Sequence, residues 1–168
     1  MDVELYVHWS VFVISAIILL GAIERPAVSL VALISYLSII LIHETGHLMA
    51  AQRLGCHVFG IELYPLWGIT RFQPPWSELD HCKIAWGGVL AQGIIAVPVV
   101  AFVLIFGYTK FEPLNAAIAL FGGFSLFMII FNLLPVRPLD GATAWRIIPA
   151  YVRHLRSRRS SPRKWPLR

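Results

Sequence analysis

Charged residues are scarce in this sequence. Lys, Arg, Asp and Glu make up 14% of the 168 residues, 58% are hydrophobic, and the mean hydropathy is +0.72. Soluble domains carry charge on about a quarter of their residues, so this composition excludes that class and predicts a single membrane domain. Two cysteines, Cys56 and Cys82, bracket a loop that we expect to be cytoplasmic, so we expect no disulfide between them. The N-terminal segment lacks the basic stretch of a signal peptide, so we expect the first apolar stretch to remain as an anchor.

Four apolar stretches reach or approach the length that crosses a bilayer: residues 6–23, 27–52, 84–107 and 114–134. Between the second and third, residues 57–73 mix β-branched and aromatic residues with Gly60, Pro65 and Gly68, which predicts a β-hairpin lying against the membrane. We therefore expect an all-α integral membrane protein with about four transmembrane helices, this hairpin, and a fourth helix broken by proline.

The basic residues are distributed unevenly. Of the 14 Lys and Arg residues, 12 lie between positions 53 and 83 or from Arg137 onward. The positive-inside rule places both regions, and hence both termini, on the cytoplasmic side. We expect the membrane to be that of a bacterial or archaeal cell, with the candidate site near its cytoplasmic side. The isoelectric point near 9.6 then reflects topology, and we expect no nucleic-acid partner.

The C-terminal end differs from the rest in composition. We expect a core over residues 1–152 and a basic tail over 153–168, either disordered as a topology signal or attached to anionic lipid head groups.

One polar motif interrupts the second apolar stretch. His43, Glu44 and His47 fit H-E-x-x-H, in which the two histidines share a helix face and can bind one Zn²⁺ while the glutamate accepts a proton from water. An uncompensated charge within a membrane span costs roughly 3 kcal/mol. Three polar side chains in one turn therefore favour a metal site over two buried histidines with a paired glutamate. The motif lies roughly 13 Å from the end of its helix, so we expect a polar cavity that admits water.

A catalytic zinc site needs a third protein ligand. The extended motif with a third histidine is absent, because Arg53 occupies that position. Glu62 falls in the predicted hairpin, which leaves Asp140 as the better candidate. Its alternative role is to cap the segment that begins at Gly141.

The residues before Asp140 predict a broken helix. Pro135 and Pro138 each lack an N–H and restrict the residue before them, so the fourth helix must end near residues 133–139. The break frees backbone carbonyls, which Asn132 is placed to satisfy.

These two motifs together resemble the site-2 proteases, a family of intramembrane zinc metalloproteases. "HETGH" lies in one span, and "NLLPVRPLDG" after a later one matches the family pattern N-x-x-P-x-x-P-x-D-G. "VHWS" near the N-terminus is also similar, and the likeness covers roughly residues 5–150 in a minimal form without a soluble accessory domain. The resemblance implies that His43, His47 and Asp140 hold Zn²⁺.

The resemblance also implies roles for other residues. Glu44 would be the catalytic glutamate, and the hairpin edge would add a substrate strand. Asn132, Pro135 and Gln92 are the candidate substrate contacts, with Gln92 standing where many members have asparagine. The neighbouring Gly87 and Gly88 are better explained by close helix packing.

The expected partners are a transmembrane protein substrate, the lipid bilayer and, as a hypothesis, a separate membrane regulator. The reaction implied is hydrolysis of a peptide bond in or near a transmembrane segment. Two alternatives are open: a metal transporter, which would need polar residues along several spans, and a metal-binding scaffold or pseudoprotease. A second metal site at Cys56, His57, His81 and Cys82 is a weaker interpretation than ordinary loop residues, because their spacing is loose.

Overall fold

The computed structural model describes residues 3–65 and 67–160, the last four of these by their backbone alone. The strands are β1 (Glu4–Val7), β2 (Val58–Leu63) and β3 (Gly68–Phe72). The helices are α1 (Trp9–Leu20), α2 (Pro26–Arg53), α3 (Glu78–Phe106), α4 (Glu112–Ile118), α5 (Ser125–Asn132), α6 (Gly141–Ala144) and α7 (Ile147–Ser160). A 3₁₀ turn (Gly21–Ile23) follows α1, and a π-helical segment (Ala119–Phe124) joins α4 to α5.

Within the described residues, three helical segments are long and apolar enough to cross a membrane: Pro26–Arg53, Glu78–Phe106 and Glu112–Asn132. The mostly helical, membrane-embedded fold is thus confirmed, whereas the count of four crossings is not. The first apolar stretch divides into β1 and the 12-residue α1, and a helix of that length spans only about 18 Å. Pro98 lies inside α3, which nevertheless continues through it.

The predicted hairpin is present and belongs to a three-stranded sheet. β2 pairs with β3 in antiparallel register, and β1 pairs with the other edge of β2 in parallel register, giving the order β1-β2-β3. The hydroxyl of Tyr36 on α2 donates to the carbonyl of Pro65 at 2.8 Å, which ties the hairpin turn to the helix. One edge of β3 has no strand partner among the described residues.

Helices α2 and α3 approach each other closely at two glycines. A Cβ added to Gly46 would lie 2.3 Å from the carbonyl oxygen of Gly87, and a Cβ on Gly87 would lie 2.6 Å from that of Gly46. No larger residue fits at either position without separating the helices. The packing role expected for Gly87 is confirmed, and it brings the motif on α2 against α3.

The core is small and joins the sheet to the helices. Its larger cluster collects buried residues from α1, α2, β2 and α5: Val11, Tyr36, Ile39, Ile40, Ile61, Leu63 and Met128. The outward faces of the long helices instead expose large apolar side chains, including Leu90, Ile94 and Leu104 on α3. A surface of this kind suits lipid rather than water.

The third long segment ends where the prolines predict. Helix α5 stops at Asn132, and turns connect it to α6, which begins at Gly141. A Cβ on Gly141 would lie 2.2 Å from the carbonyl oxygen of Leu133, so the chain folds back on itself there. Helix α7 crosses the expected core boundary at residue 152 and continues to Ser160, while the tail from 161 to 168 lies outside the described residues.

Candidate metal centre

Three side-chain atoms from two distant parts of the chain converge at one point. Nε2 of His43 lies 3.0 Å from Oδ2 of Asp140, and Nε2 of His47 lies 3.1 Å from the same oxygen. The two Nε2 atoms are 3.2 Å apart. The i, i+4 spacing on α2 aligns the imidazoles, and the fold-back after α5 brings the carboxylate to them.

The hydrogen bonds behind the imidazoles fix their tautomers. Nδ1 of His47 lies 2.8 Å from the carbonyl oxygen of Ile84, and Nδ1 of His43 lies 3.1 Å from Oε1 of Gln92. Both oxygens only accept, so both Nδ1 atoms carry the proton, and a neutral imidazole then has a bare lone pair on Nε2. When both imidazoles are neutral, two lone pairs and a carboxylate oxygen face one another, an arrangement that a cation between them would stabilise.

The donor set fits a divalent metal. Donors held about 2.1 Å from a tetrahedral zinc lie roughly 3.4 Å from one another, close to the three separations seen here. Imidazole nitrogens and a carboxylate oxygen are ligands that zinc accepts, and Nδ1–H groups held by amide and carbonyl oxygens are the usual support for metal-binding histidines. The site could thus hold a metal.

Asp140 stands at the N-terminal end of α6 but does not cap it. Its side chain makes no capping hydrogen bond, whereas its carboxylate faces the histidines. The carboxylate is placed to serve as a metal ligand, a role that requires its ionised form. The other candidate carboxylate, Glu62, pairs instead with Arg71 at 2.5 Å.

Glu44 lies beside the donor set and is held by β3. One ligand atom from each of His43, Glu44 and His47 falls within 4.8 Å of the others, and all three residues are buried. Oγ1 of Thr70 donates to Oε2 of Glu44 at 2.8 Å. A Cβ on Gly68 would lie 2.3 Å from the carboxyl carbon of Glu44, so only glycine leaves room for the carboxylate at that position. The Glu44 side chain is thus fixed by a strand that is far from it in sequence.

Gly88 has a second role besides helix packing. A Cβ there would lie 2.4 Å from Nε2 of His47 and 2.8 Å from Nε2 of His43. The missing side chain therefore creates the space in which the two imidazoles meet. In the sequence, the glycine pair indicated only close helix packing. No sequence pattern predicted the contact of Gly88 with the two imidazoles.

A cleft opens beside the donor set. It has a volume of about 210 Å³, and its walls come from α2, β3, the start of α3 and the chain around Asp140. Lining residues include Glu44, His47, Thr70, His81, Asp140 and Thr143. The cavity expected from the depth of the motif is present, and β3 forms one of its sides.

The three predicted substrate contacts occupy different positions. Asn132 is buried, donates from Nδ2 to the carbonyl of Met128 at 3.0 Å, and lines a small cavity together with His43 and Asp140. Gln92 is buried against His43, and its Nε2 has no hydrogen-bond partner within the described residues. Pro135 is exposed in the turn after α5.

The two cysteines and their neighbouring histidines do not gather into a second cluster. Among residues 3–65 and 67–160, the potential metal ligands in mutual reach belong to the centre on α2, where His43, Glu44 and His47 form the group. His57 packs edge-on against Phe59, and His81 packs edge-on against Phe72.

Comparison with known proteins identifies the fold. No family model and no curated protein sequence matches this chain. Among solved structures, it is similar to the site-2 protease from Methanocaldococcus jannaschii, with a TM-score of 0.69 and 23% sequence identity. The match covers 90% of this chain and 69% of the other. The fold that the two sequence motifs implied is confirmed.

Proposed function

We propose that the protein is an intramembrane zinc metalloprotease that hydrolyses a peptide bond within or near a transmembrane segment of a membrane-protein substrate. The observation that carries this proposal is the convergence of His43, His47 and Asp140 beside Glu44. In this arrangement three potential metal ligands face one another, and a fourth polar side chain, the carboxylate of Glu44, remains next to them. The shared fold with a site-2 protease supports the same reading.

His43, His47 and Asp140 would hold the zinc ion. When bound, zinc supplies a Lewis acid that polarises the scissile carbonyl and acidifies water. The Nδ1–H bonds to Gln92 and Ile84 keep both imidazoles in the tautomer that binds a metal. Burial of the imidazoles excludes competing water from this side of the site.

Glu44 would act as the general base and then as the general acid. It accepts a proton from the attacking water as the water oxygen bonds to the carbonyl carbon, and it delivers that proton to the amide nitrogen as the C–N bond breaks. Thr70 holds one carboxylate oxygen of Glu44 through its hydroxyl, which leaves the other oxygen to face the reacting water.

The free edge of β3 would receive the substrate. A transmembrane helix satisfies its own backbone hydrogen bonds, so it must unwind before a peptide bond is accessible. Pairing with β3 replaces the lost bonds and places the extended segment along a wall of the cleft. The unpaired amide nitrogen of Gln92 and the side chain of Asn132 are the candidate contacts to this segment, with Pro135 at its outer end.

The first test separates chemistry from metal binding. Glu44→Gln should retain zinc and lose cleavage of a co-reconstituted single-span substrate, because the base is removed and the ligands are kept. Glu24→Gln, at an exposed position outside the site, is the matched control and should cleave normally. Zinc content is read by mass spectrometry and cleavage by gel.

The other outcomes of this test are also informative. Unchanged cleavage by Glu44→Gln would remove Glu44 from the mechanism. If every form binds zinc and none cleaves, the metal-binding scaffold is favoured. If a separate membrane regulator then co-purifies and restores cleavage, the protein is again best described as a protease.

A further inference from the structure

Helix α7 presents an apolar stripe to the outside of the molecule. Ile148, Tyr151, Val152 and Leu155 follow the i, i+3, i+4, i+7 spacing of one helix face. Their exposed fractions are 69%, 53%, 41% and 44%. Four large apolar side chains on one face, each uncovered, are unfavourable in water and indicate an apolar neighbour.

The opposite face of α7 packs on the protein. Ala150 is buried, and Arg153 makes an ion pair with Glu78 at 2.5 Å. Arg146, just before α7, also binds Glu78. The helix is therefore anchored by one side, and the four-residue stripe points away from the core.

The contact with α3 fixes the height of α7 relative to the membrane. The charged residues of α3, Glu78, Asp80 and Lys83, all lie in its first two turns, and residues 84–106 carry no charge. The first turns of α3 therefore lie at the level of the lipid head groups. Trp76, two residues before α3 and 99% exposed, is the kind of residue found at that level. Because α7 packs on those turns, it lies at the membrane surface.

Charge favours one kind of surface. From Gly141 to the end of the sequence there are eight Lys and Arg residues and no Asp or Glu. Glu78 neutralises part of the charge of Arg146 and Arg153, which leaves a strong positive excess. Basic residues near an anionic leaflet strengthen binding to it.

A groove runs between α7 and the start of α3. Its volume is about 560 Å³, and its walls include Leu79, Lys83 and all four residues of the apolar stripe. An apolar floor with a lysine at its rim matches a phospholipid, whose chains are apolar and whose head group is anionic.

We propose that α7 is an interfacial helix that inserts its apolar stripe among anionic phospholipids of the leaflet where α3 begins. Arg156 of α7 contacts the head groups, and the stripe contacts the upper part of the acyl chains. The inference concerns the attachment of the chain's C-terminal end and does not depend on metal binding or proteolysis.

The test uses the full chain reconstituted in vesicles. Single cysteines replace Ile148, Leu155 or Arg156 in a Cys56→Ser, Cys82→Ala background, and each carries a nitroxide label. Collision with oxygen, which concentrates in lipid, is compared with collision with a water-soluble nickel complex. The ratio should be several-fold higher at the stripe positions 148 and 155 than at Arg156, a basic residue of α7 outside the stripe that serves as the matched control.

Lipid composition supplies the second arm. The ratio at positions 148 and 155 should rise when phosphatidylglycerol is added to phosphatidylcholine vesicles, and equal values in both would overturn the role of anionic lipid. Nickel-accessible labels at all three positions would overturn the proposal. Protection of the stripe from both reagents would also overturn it, because a protein partner would then cover the helix. Neither readout changes if the protease assignment fails.

Discussion

Two carboxylates near α3, Asp140 and Glu78, each face two basic side chains, and the clusters differ in what neutralises them. Glu78 meets the guanidinium groups of Arg146 and Arg153, whose side chains are 57% and 59% exposed. Asp140 meets the imidazoles of His43 and His47, whose side chains are 3% and 8% exposed. Guanidinium is always protonated, so the first cluster is complete without an added ion. In the second cluster Nδ1 of each imidazole carries a proton, so Nε2 of a neutral imidazole offers only a lone pair to Asp140.

The comparison teaches how to tell a structural ion pair from an incomplete site. Exposed pairs add little stability and need no ion. A buried set of facing ligand atoms is a candidate for binding a metal, and the hydrogen bonds to Nδ1 of both histidines suit that role. The predictions below perturb the buried cluster first and the exposed one last.

The largest effect is expected from Gly88→Ala. The added methyl would lie 2.4 Å from Nε2 of His47, so the imidazoles must move. A shift of about 1 Å in a catalytic group costs on the order of 100-fold in rate, and we expect at least that loss in cleavage together with weaker zinc binding. Zinc content and cleavage are measured on the same preparation.

Gly93→Ala is the matched control for that substitution. It lies on the same helix, and the nearest atom to its added methyl is 4.0 Å away. It should leave zinc content and cleavage unchanged. If both variants lose zinc and cleavage equally, α3 tolerates no alanine at either position. If both keep zinc and cleavage, Gly88 is not part of the site.

A smaller effect is expected from Thr70→Val. The variant loses the hydrogen bond to Oε2 of Glu44, and a hydrogen bond to a charged group contributes about 1.5–3 kcal/mol. We expect kcat to fall roughly 10- to 100-fold, with zinc content and KM close to wild type. Steady-state kinetics on a fluorogenic membrane substrate measure this.

Thr70→Ser separates positioning from packing. Serine keeps the hydroxyl and should restore most of the rate, whereas a role of Thr70 in strand packing alone would leave serine as impaired as valine. A rise in KM without a change in kcat would instead mean that Thr70 contributes to substrate binding.

The smallest effect is expected from Glu78→Gln in the exposed cluster. Surface ion pairs contribute about 1 kcal/mol or less, so stability against denaturant should change by no more than that and cleavage should not change. A loss of cleavage comparable to that of the buried-cluster variants would break the distinction between the two clusters.

Much of the site was predictable because its residues lie in short local motifs. The spacing of His43 and His47 fixes their shared helix face, and Pro135 and Pro138 fix the end of the helix before Asp140. That Asp140 meets the two histidines was expected from the resemblance of the two motifs to a known family. The hairpin followed from β-branched and aromatic residues around glycine and proline.

What sequence did not predict depends on contacts between distant segments. Strand β1 has four exposed residues and no alternating pattern of its own, so its pairing with β2 is set by the fold alone. The first apolar stretch looked long enough for a span, and only the structure divides it. The roles of Thr70 and Gly88 arise where β3 and α3 approach α2, and no local pattern encodes such an approach.

The most direct test of the account is the zinc content of Asp140→Asn against wild type and against Glu62→Gln, the other carboxylate that sequence offered as a ligand. We expect close to one zinc per chain in the wild type and in Glu62→Gln, and little in Asp140→Asn. An Asp140→Asn protein that is folded and binds zinc as tightly as the wild type would contradict it.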